Sequence, residues 1–189
     1  MTPGAWSSFK QTLKLQMESF SYGNDSSAFA KAFTQAYDTA IKQGGDTLNQ
    51  IPLLVGNTTA MEQTLAACLL EIQLSSNKTL LDIIGRAIIA YWSGQSLLQG
   101  PPPIIPAIGT ISNITNNQSI VLNAGTPGDW TVIPVPPSKS SDQFLNSFVT
   151  SAKLHLSTVS GFFIVTAQYP PPAPPAPGIV NWSGYTVLD

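Results

Sequence analysis

Apolar residues recur along the first half of the chain with the spacing of helices. In segments 6–20 and 29–41 they return every third or fourth position, which is the repeat of one helical face. A third helix is expected to begin with the capping-box spacing of Thr59 and Glu62, and a fourth spans about 80–92. The pattern predicts a four-helix bundle. The expected inward positions are Trp6, Phe9, Leu13, Met17 and Phe20; Phe29, Phe33, Tyr37, Ala40 and Ile41; Met61, Leu65, Cys68, Leu69 and Ile72; and Leu80, Ile83, Ile84, Ala87, Ile88, Tyr91 and Trp92.

The second half of the chain predicts strands and one helix between proline-rich segments. Residues 101–106 and 170–177 are rich in proline, which favours extended, polyproline-like backbone. A helix is expected at about 141–157, with Phe144, Phe148, Ala152 and His155 among its inward positions. Runs typical of strands lie at 108–114, 119–123, 130–135, 162–167 and 179–188.

These patterns together predict an α+β fold. A helical domain at 1–98, the N-terminal four-helix bundle, is expected to precede a proline linker at 99–107. A small β-rich region with one helix and proline-rich extended arms is expected at 108–189, and it ends in an extended C-terminal arm. The predicted domain boundary therefore coincides with the first proline-rich segment.

Charged residues are rare, and few of them lie in the second half. They make up 10% of the chain, against about 25% in an average soluble domain. Only Asp129, Lys139, Asp142, Lys153 and Asp189 follow Gly100. Because interface cores are depleted in charge, this composition favours a subunit whose surface is partly covered by partners.

The charge balance and the apolar segments also exclude some partners. The net charge of −2 gives no strong electrostatic footprint for nucleic acid. Segment 80–92 is too short to span a membrane, and Asp82 and Arg86 interrupt it. Residues 1–20 lack the pattern of a secretory signal peptide. We therefore expect synthesis in a cytoplasm, with neither nucleic acid nor a membrane as partner.

Residues suited to catalysis or metal binding are few. The chain has one histidine, His155, and one cysteine, Cys68, which is expected to be a buried, unreactive thiol. Acidic residues such as Asp46 fall mostly at predicted helix caps or polar faces. Neither a phosphate-binding loop nor a cluster of metal ligands occurs. The sequence predicts a protein that is not an enzyme, with no cofactor, no metal and no small-molecule substrate.

Two stretches resemble a known group of proteins. One is Phe29-Ala-Lys-Ala-Phe-Thr-Gln-Ala-Tyr-Asp38, continuing to Gly44-Gly45-Asp46. The other is Ala90-Tyr-Trp-Ser-Gly94, followed by Pro-Ile-Ile-Pro-Ala107. Over about residues 20–107 the chain is similar to uncharacterised virion structural proteins of tailed phages of the T4-like cyanophage type. The resemblance implies a packing role and carries no catalytic residue.

The leading hypothesis is a structural subunit of a virus or phage particle, in the capsid decoration, neck or tail. Its partners would be other virion proteins and copies of itself, and it would reside in the virion. A secreted or host-directed helical binding factor without catalytic activity is the alternative. Six Asn-x-Ser/Thr sites bear on it, although Asn24, Asn57 and Asn77 also suit a turn or cap. The predicted interface residues are Pro101, Pro103, Pro106, Trp130, Pro136, Pro171, Pro174, Trp182 and Tyr185.

Overall fold

The protein has a mixed α and β fold, as the sequence predicts. A computed structural model describes residues 4–19, 26–48, 50, 52–74, 80–93, 97–98, 113–123, 141–168 and 176–189. The helices in this part of the chain are α1 (Ala5–Ser19), α2 (Ser26–Ile41), α3 (Thr58–Leu74), α4 (Leu80–Trp92) and α5 (Ser141–Leu156). The strands are β1 (Gly45–Asp46), β2 (Leu53–Val55), β3 (Leu97–Leu98), β4 (Asn113–Asn123), β5 (Ser160–Gln168), β6 (Ala176–Ser183) and β7 (Tyr185–Thr186).

The predicted apolar faces of the helices are buried at nearly every position whose side chain is described; on α3, Leu69 is only partly buried. On α2, all five expected positions from Phe29 to Ile41 are buried, and on α4 the same holds from Ile83 to Trp92. On α5 the whole predicted inner face is buried, including His155. Cys68 on α3 is a buried free thiol, as expected. Hydrophobic periodicity therefore located the inward side of these helices correctly.

The predicted start of the third helix is wrong. α3 begins at Thr58, and its cap is Asn57, whose side-chain Oδ1 accepts a hydrogen bond from the N–H of Ala60 at 3.2 Å. The Nδ2 of Asn57 also donates to the carbonyl of Ser93 at 3.3 Å, just after α4. An asparagine amide can accept and donate at once, so Asn57 serves both helix ends, which the capping box of Thr59 and Glu62 could not do.

Phe148 of α5 lies at the centre of the aromatic core. Its ring centroid is 5.1 Å from those of Phe9 on α1 and Phe33 on α2. It is also 6.4 Å from the rings of Trp6 and Tyr37. Most of these pairs are edge-to-face, the arrangement that aromatic quadrupoles favour. One side chain thus packs three helices together.

The helix that the sequence places in the β-rich region packs against the N-terminal helices. Besides the contacts of Phe148, Lys14 of α1 forms an ion pair with Asp142 of α5 at 2.8 Å, and Lys10 donates to Asn146 at 3.1 Å. Both contacts are exposed and stabilise little, but they show how the two helices align. The core thus contains residues from both sides of the predicted linker at 99–107. The domain boundary itself stays a prediction.

The strands form antiparallel pairs, several of them between distant parts of the chain. β4, β5 and β6 make a three-stranded sheet in that order, while β2 pairs with β3 and β1 pairs with β7. The expected strands at 119–123 and 162–167 lie within β4 and β5. The sequence predicts two runs, at 108–114 and 119–123, whereas β4 is continuous from residue 113 to residue 123. Its pairing with β5 has register shifts, which let the strand continue across the polar residues between the two runs. The predicted strand at 130–135 and the proline-rich residues 101–106 and 170–175 lie outside the described residues.

Phe148→Ala is expected to destabilise the protein by about 3–5 kcal/mol, because it empties a fully buried site between three helices. Urea unfolding followed by circular dichroism measures the change. Leu154→Ala on the same helix is the matched control: this side chain is 58% exposed, and its loss should cost about 0.5 kcal/mol or less. Equal effects of the two changes would contradict the central position of Phe148.

Candidate protein interaction site

The C-terminal strand is attached to the helices through the hydroxyl group of Tyr185. This hydroxyl accepts a hydrogen bond from the N–H of Leu53 at 2.9 Å and donates one to the carbonyl of Ile41 at 2.8 Å. The ring of Tyr185 packs against Trp92 of α4, with centroids 5.2 Å apart. A single buried side chain thus satisfies two backbone groups at the end of α2 and the start of β2.

The chain changes hydrogen-bonding partners at Gly184. Its φ angle is +83°, a region that glycine enters without steric cost. Its N–H donates to the carbonyl of Val159 at 2.7 Å, whereas its carbonyl accepts from the N–H of Thr47 at 3.1 Å. The N–H and the carbonyl of Gly184 therefore bond to different neighbours: one leads to β5, the other to the end of β1. β6 lies directly before this turn.

The side chains that are described on β6 lie on two different faces, and one of these faces is exposed. Ile179, Asn181 and Ser183 are exposed, whereas Trp182 is buried at 3% exposure. This alternation follows from the pleat of a strand, in which successive side chains point to opposite faces. Ile179 is a large apolar side chain that is 66% exposed. Such a residue on a strand at the edge of a sheet is a candidate contact for a partner.

The pairing of β6 with β5 shows which backbone groups point away from the sheet. Pro177 pairs with Thr166 and has no N–H, so this pair cannot exchange two hydrogen bonds. At the other end, the carbonyl of Ser183 accepts a hydrogen bond from the hydroxyl of Thr47. Along an antiparallel strand, successive residues direct their backbone groups to opposite edges. The missing N–H of Pro177 and the bond between Thr47 and Ser183 both indicate that the odd-numbered residues of β6 face the edge away from β5. Ile179 and Asn181 therefore direct their N–H and carbonyl groups away from β5.

This outer edge, the stretch 177–181 of β6, is the candidate site and is called the open edge below. Among the described residues, no strand pairs with it. Thr47 occupies the edge only at Ser183 and Gly184. Natural sheets protect such edges with charges, prolines or bulges. β6 contains no charged residue, and Pro177 is its one proline. The open edge thus combines free backbone donors with an exposed isoleucine.

Asp46 helps to form the end of the open edge. The sequence predicts a capping or surface role for this residue, but it is fully buried in β1, opposite Tyr185. Its carboxylate accepts the N–H of Leu48 at 3.0 Å, and its carbonyl accepts the N–H of Gln50 at 2.9 Å. These bonds close a turn that begins at Asp46 and contains Thr47. Asp46 is buried, and not at the surface, because β1 pairs with β7, some 140 residues away in the sequence.

Two of the predicted interface residues are buried within this chain. Trp182 is 3% and Tyr185 is 2% exposed, and Tyr185 bonds to Ile41 and Leu53. In this conformation their side chains are not available to a partner, so their place in the interface is not supported. The other seven predicted residues, at 101, 103, 106, 130, 136, 171 and 174, lie outside the described residues. The structure adds the open edge, of which the sequence indicated only the terminal run at 179–188.

A cluster of polar side chains lies between α2 and α4, where its hydrogen bonds hold the two helices together. Tyr91 donates to Asp38 at 2.8 Å, and Lys42 binds the other carboxylate oxygen of Asp38 at 2.7 Å. Trp92 donates through Nε1 to the hydroxyl of Tyr37 at 3.0 Å. Burial raises the pKa of Tyr37 and of Tyr91 well above the usual value near 10, and the nearby Asp38 carboxylate raises that of Tyr91 further. These hydroxyls stay neutral near pH 7.

The rest of the described chain presents little chemistry. A groove of about 170 Å³ between α1 and α2 is lined by alanine, serine, threonine, glutamine and Phe9, none of which titrates. In the part that the structure describes, no three His, Cys, Asp or Glu side chains come together as a metal site. None of the described helices is long and apolar enough to cross a membrane. The open edge is therefore the feature most suited to a function.

No family model, no curated protein and no solved structure matches this chain. What it does must be inferred from its own residues and their geometry.

Tyr185→Phe should destabilise the protein by about 1–3 kcal/mol, because the buried N–H of Leu53 loses its acceptor while the ring stays in place. The carbonyl of Ile41 loses one of two donors and keeps the N–H of Gly44 at 2.9 Å. Chemical unfolding measures this loss. Thr186→Val is the control, since this neighbouring side chain is exposed and makes only a 3.4 Å contact with Gly45. If Tyr185→Phe were neutral, the hydroxyl would not attach β7 to the helices.

The free energy of unfolding should fall steeply as the pH rises above about 10. Burial raises the pKa of Tyr37, Tyr91 and Tyr185 in the folded state, so above about pH 10 the unfolded chain releases these protons first. Stability is then lost as pH rises, by about 1.4 kcal/mol per pH unit for each tyrosine. Unfolding free energies measured between about pH 8 and 11 test this. Tyr91→Phe should make the slope shallower by about a third; an unchanged slope would contradict the assignment.

Proposed function

We propose that this chain is a structural subunit of a virus or phage particle that acts through protein–protein interactions. The observation that carries the proposal is the open edge: backbone donors and acceptors that no described strand pairs with, an exposed Ile179 and no charge on β6. Adding a strand from another chain satisfies such backbone groups and gives affinity without a pocket. The low charge of the whole chain supports the same proposal, because desolvating charged groups opposes assembly.

In this proposal the two halves of the chain have separate roles. The N-terminal helices, as a four-helix bundle extended by α5, act as a rigid anchor, and the proline-rich segments 101–106 and 170–175 are extended arms that reach neighbouring subunits. The last two residues of the second predicted segment, Ala176 and Pro177, belong to β6 instead. The partners are other virion proteins and copies of this chain. The protein is made in the host cytoplasm and acts without catalysis or a cofactor. The resemblance over residues 20–107 supports the assignment to a virion.

The first experiment is mass spectrometry of purified particles, with a copy number. The proposal requires that the chain be present at a fixed number per particle, since closed symmetric assemblies contain a set number of subunits. Its absence from purified particles would refute the proposal. A cleaved N-terminus or sugar attached at the Asn-x-Ser/Thr sites would favour the secreted or host-directed binding factor instead.

Ile179→Lys should reduce incorporation into particles at least tenfold while leaving the fold intact. A lysine at the open edge brings a charge to a surface that must be desolvated, and charges on edge strands oppose strand addition. Leu15→Lys is the matched control, because Leu15 on α1 is also 66% exposed but lies on a helix. Quantitative mass spectrometry of particles carrying each variant gives the result. Equal incorporation of both variants would remove the open edge from the proposal.

A further inference from the structure

We propose that the open edge of β6 pairs with the open edge of a second copy of this chain, antiparallel and across a two-fold axis at Ile179. The proposal deepens the proposed function, on which it rests, by naming one partner and one register. Joined in this way, the sheets β4–β5–β6 of the two copies would form one continuous six-stranded sheet.

The limits of the open edge define the register. Pro177 lacks a donor at one end, and Thr47 already binds Ser183 at the other. The backbone free between these limits runs from residue 177 to residue 181, so its middle residue is Ile179. A two-fold axis through Ile179 is the one symmetric arrangement that uses this whole stretch, with residue 177 opposite residue 181 of the other copy.

The hydrogen bonds available in this register are complementary. Ile179 points both of its backbone groups outward, so the two copies of Ile179 exchange two N–H to carbonyl bonds. The outward N–H of Asn181 meets the carbonyl of Pro177 in the other copy, and the reverse bond forms by symmetry. The missing N–H of Pro177 leaves only the carbonyl of Asn181, an exposed residue, to water. Four backbone hydrogen bonds follow from one symmetric contact.

The charge pattern favours a second copy as the occupant. Antiparallel self-pairing about this axis places Ile179 opposite itself and residue 177 opposite residue 181, so a charge at position 179 would meet a like charge. β6 carries none, and its exposed face presents Ile179 to Ile179 of the other copy at the axis. Apolar cross-strand pairs of this kind stabilise sheets. The open edge is thus self-complementary in its backbone hydrogen bonds, and no charge on β6 opposes the pairing.

Cysteine cross-linking tests the register directly. Opposite residues of a hydrogen-bonded antiparallel pair have Cα atoms about 5.5 Å apart, within the range of a disulfide. Ile179→Cys should therefore give a covalent dimer on mild oxidation. Asn181→Cys should not, because its two copies would lie about 14 Å apart along the strands. The unmodified chain is the control for Cys68, which is buried. Equal cross-linking of both variants, or none at position 179, would overturn the register.

Sedimentation over a concentration series tests the hydrogen bonds. Asn181→Pro removes the outward N–H of residue 181 and no bond to β5, so the dissociation constant of the dimer should rise about thirtyfold. Asn181→Ala keeps that N–H and should change the constant less than about threefold. Circular dichroism confirms that both variants fold. Should Asn181→Pro associate as tightly as Asn181→Ala, or should the unmodified chain stay a monomer at millimolar concentration, the self-pairing would be refuted.

These results separate the self-pairing from the proposed function. A chain that is monomeric at millimolar concentration, yet is incorporated into particles in a way that Ile179→Lys prevents, refutes self-pairing and leaves the particle role intact. Conversely, a dimer with the expected cross-link from a chain that is absent from purified particles supports self-pairing and refutes the particle role.

Discussion

The hydroxyl of Tyr185 accepts a hydrogen bond from Leu53 and donates one to Ile41, and the position of the candidate site depends on this pair of contacts. Without this hydroxyl the N–H of Leu53 at the start of β2 would lose its acceptor, whereas the carbonyl of Ile41 would keep its bond from Gly44. Because Tyr185 follows β6 after one glycine, the contact of its ring with Trp92 also holds the end of β6 in place. A contact in the core thus anchors the strand that carries the open edge.

The aromatic core stabilises the fold of the single chain, whereas the open edge is suited to binding another chain. Phe148 and its neighbours gain stability from close packing, and the buried tyrosine hydroxyls keep their protons because an anion there would be poorly solvated. The open edge, in contrast, leaves backbone groups of Ile179 and Asn181 without a partner strand among the described residues. A sheet edge of this kind, low in charge, is costly for a solitary protein and useful for one that assembles.

Much of the helical structure could be predicted because it depends on local periodicity. The inward faces of α2, α4 and α5 follow from apolar residues at three- and four-residue spacing, and each proved to be buried. The predicted helix start at Thr59 was wrong because Asn57, two residues earlier, caps the helix through the N–H of Ala60. Its amide also bonds to Ser93, 36 residues away. Similarly, the pair Gly44-Gly45 reads as a helix stop, yet a side chain at Gly44 would also collide with the carbonyl of Thr186. Contacts between distant residues leave no trace in a local pattern.

The sequence by itself determined the mixed class of fold, the buried faces of the helices, the scarcity of catalytic groups and the concentration of charge in the first half. These properties follow from composition and short-range spacing. Only the tertiary structure decided that α5 packs beside α1, that Trp182 and Tyr185 face inward, and that Thr47 covers one end of β6. Strand pairing causes this difference: a strand has two edges, and which of them is covered depends on residues more than a hundred positions away.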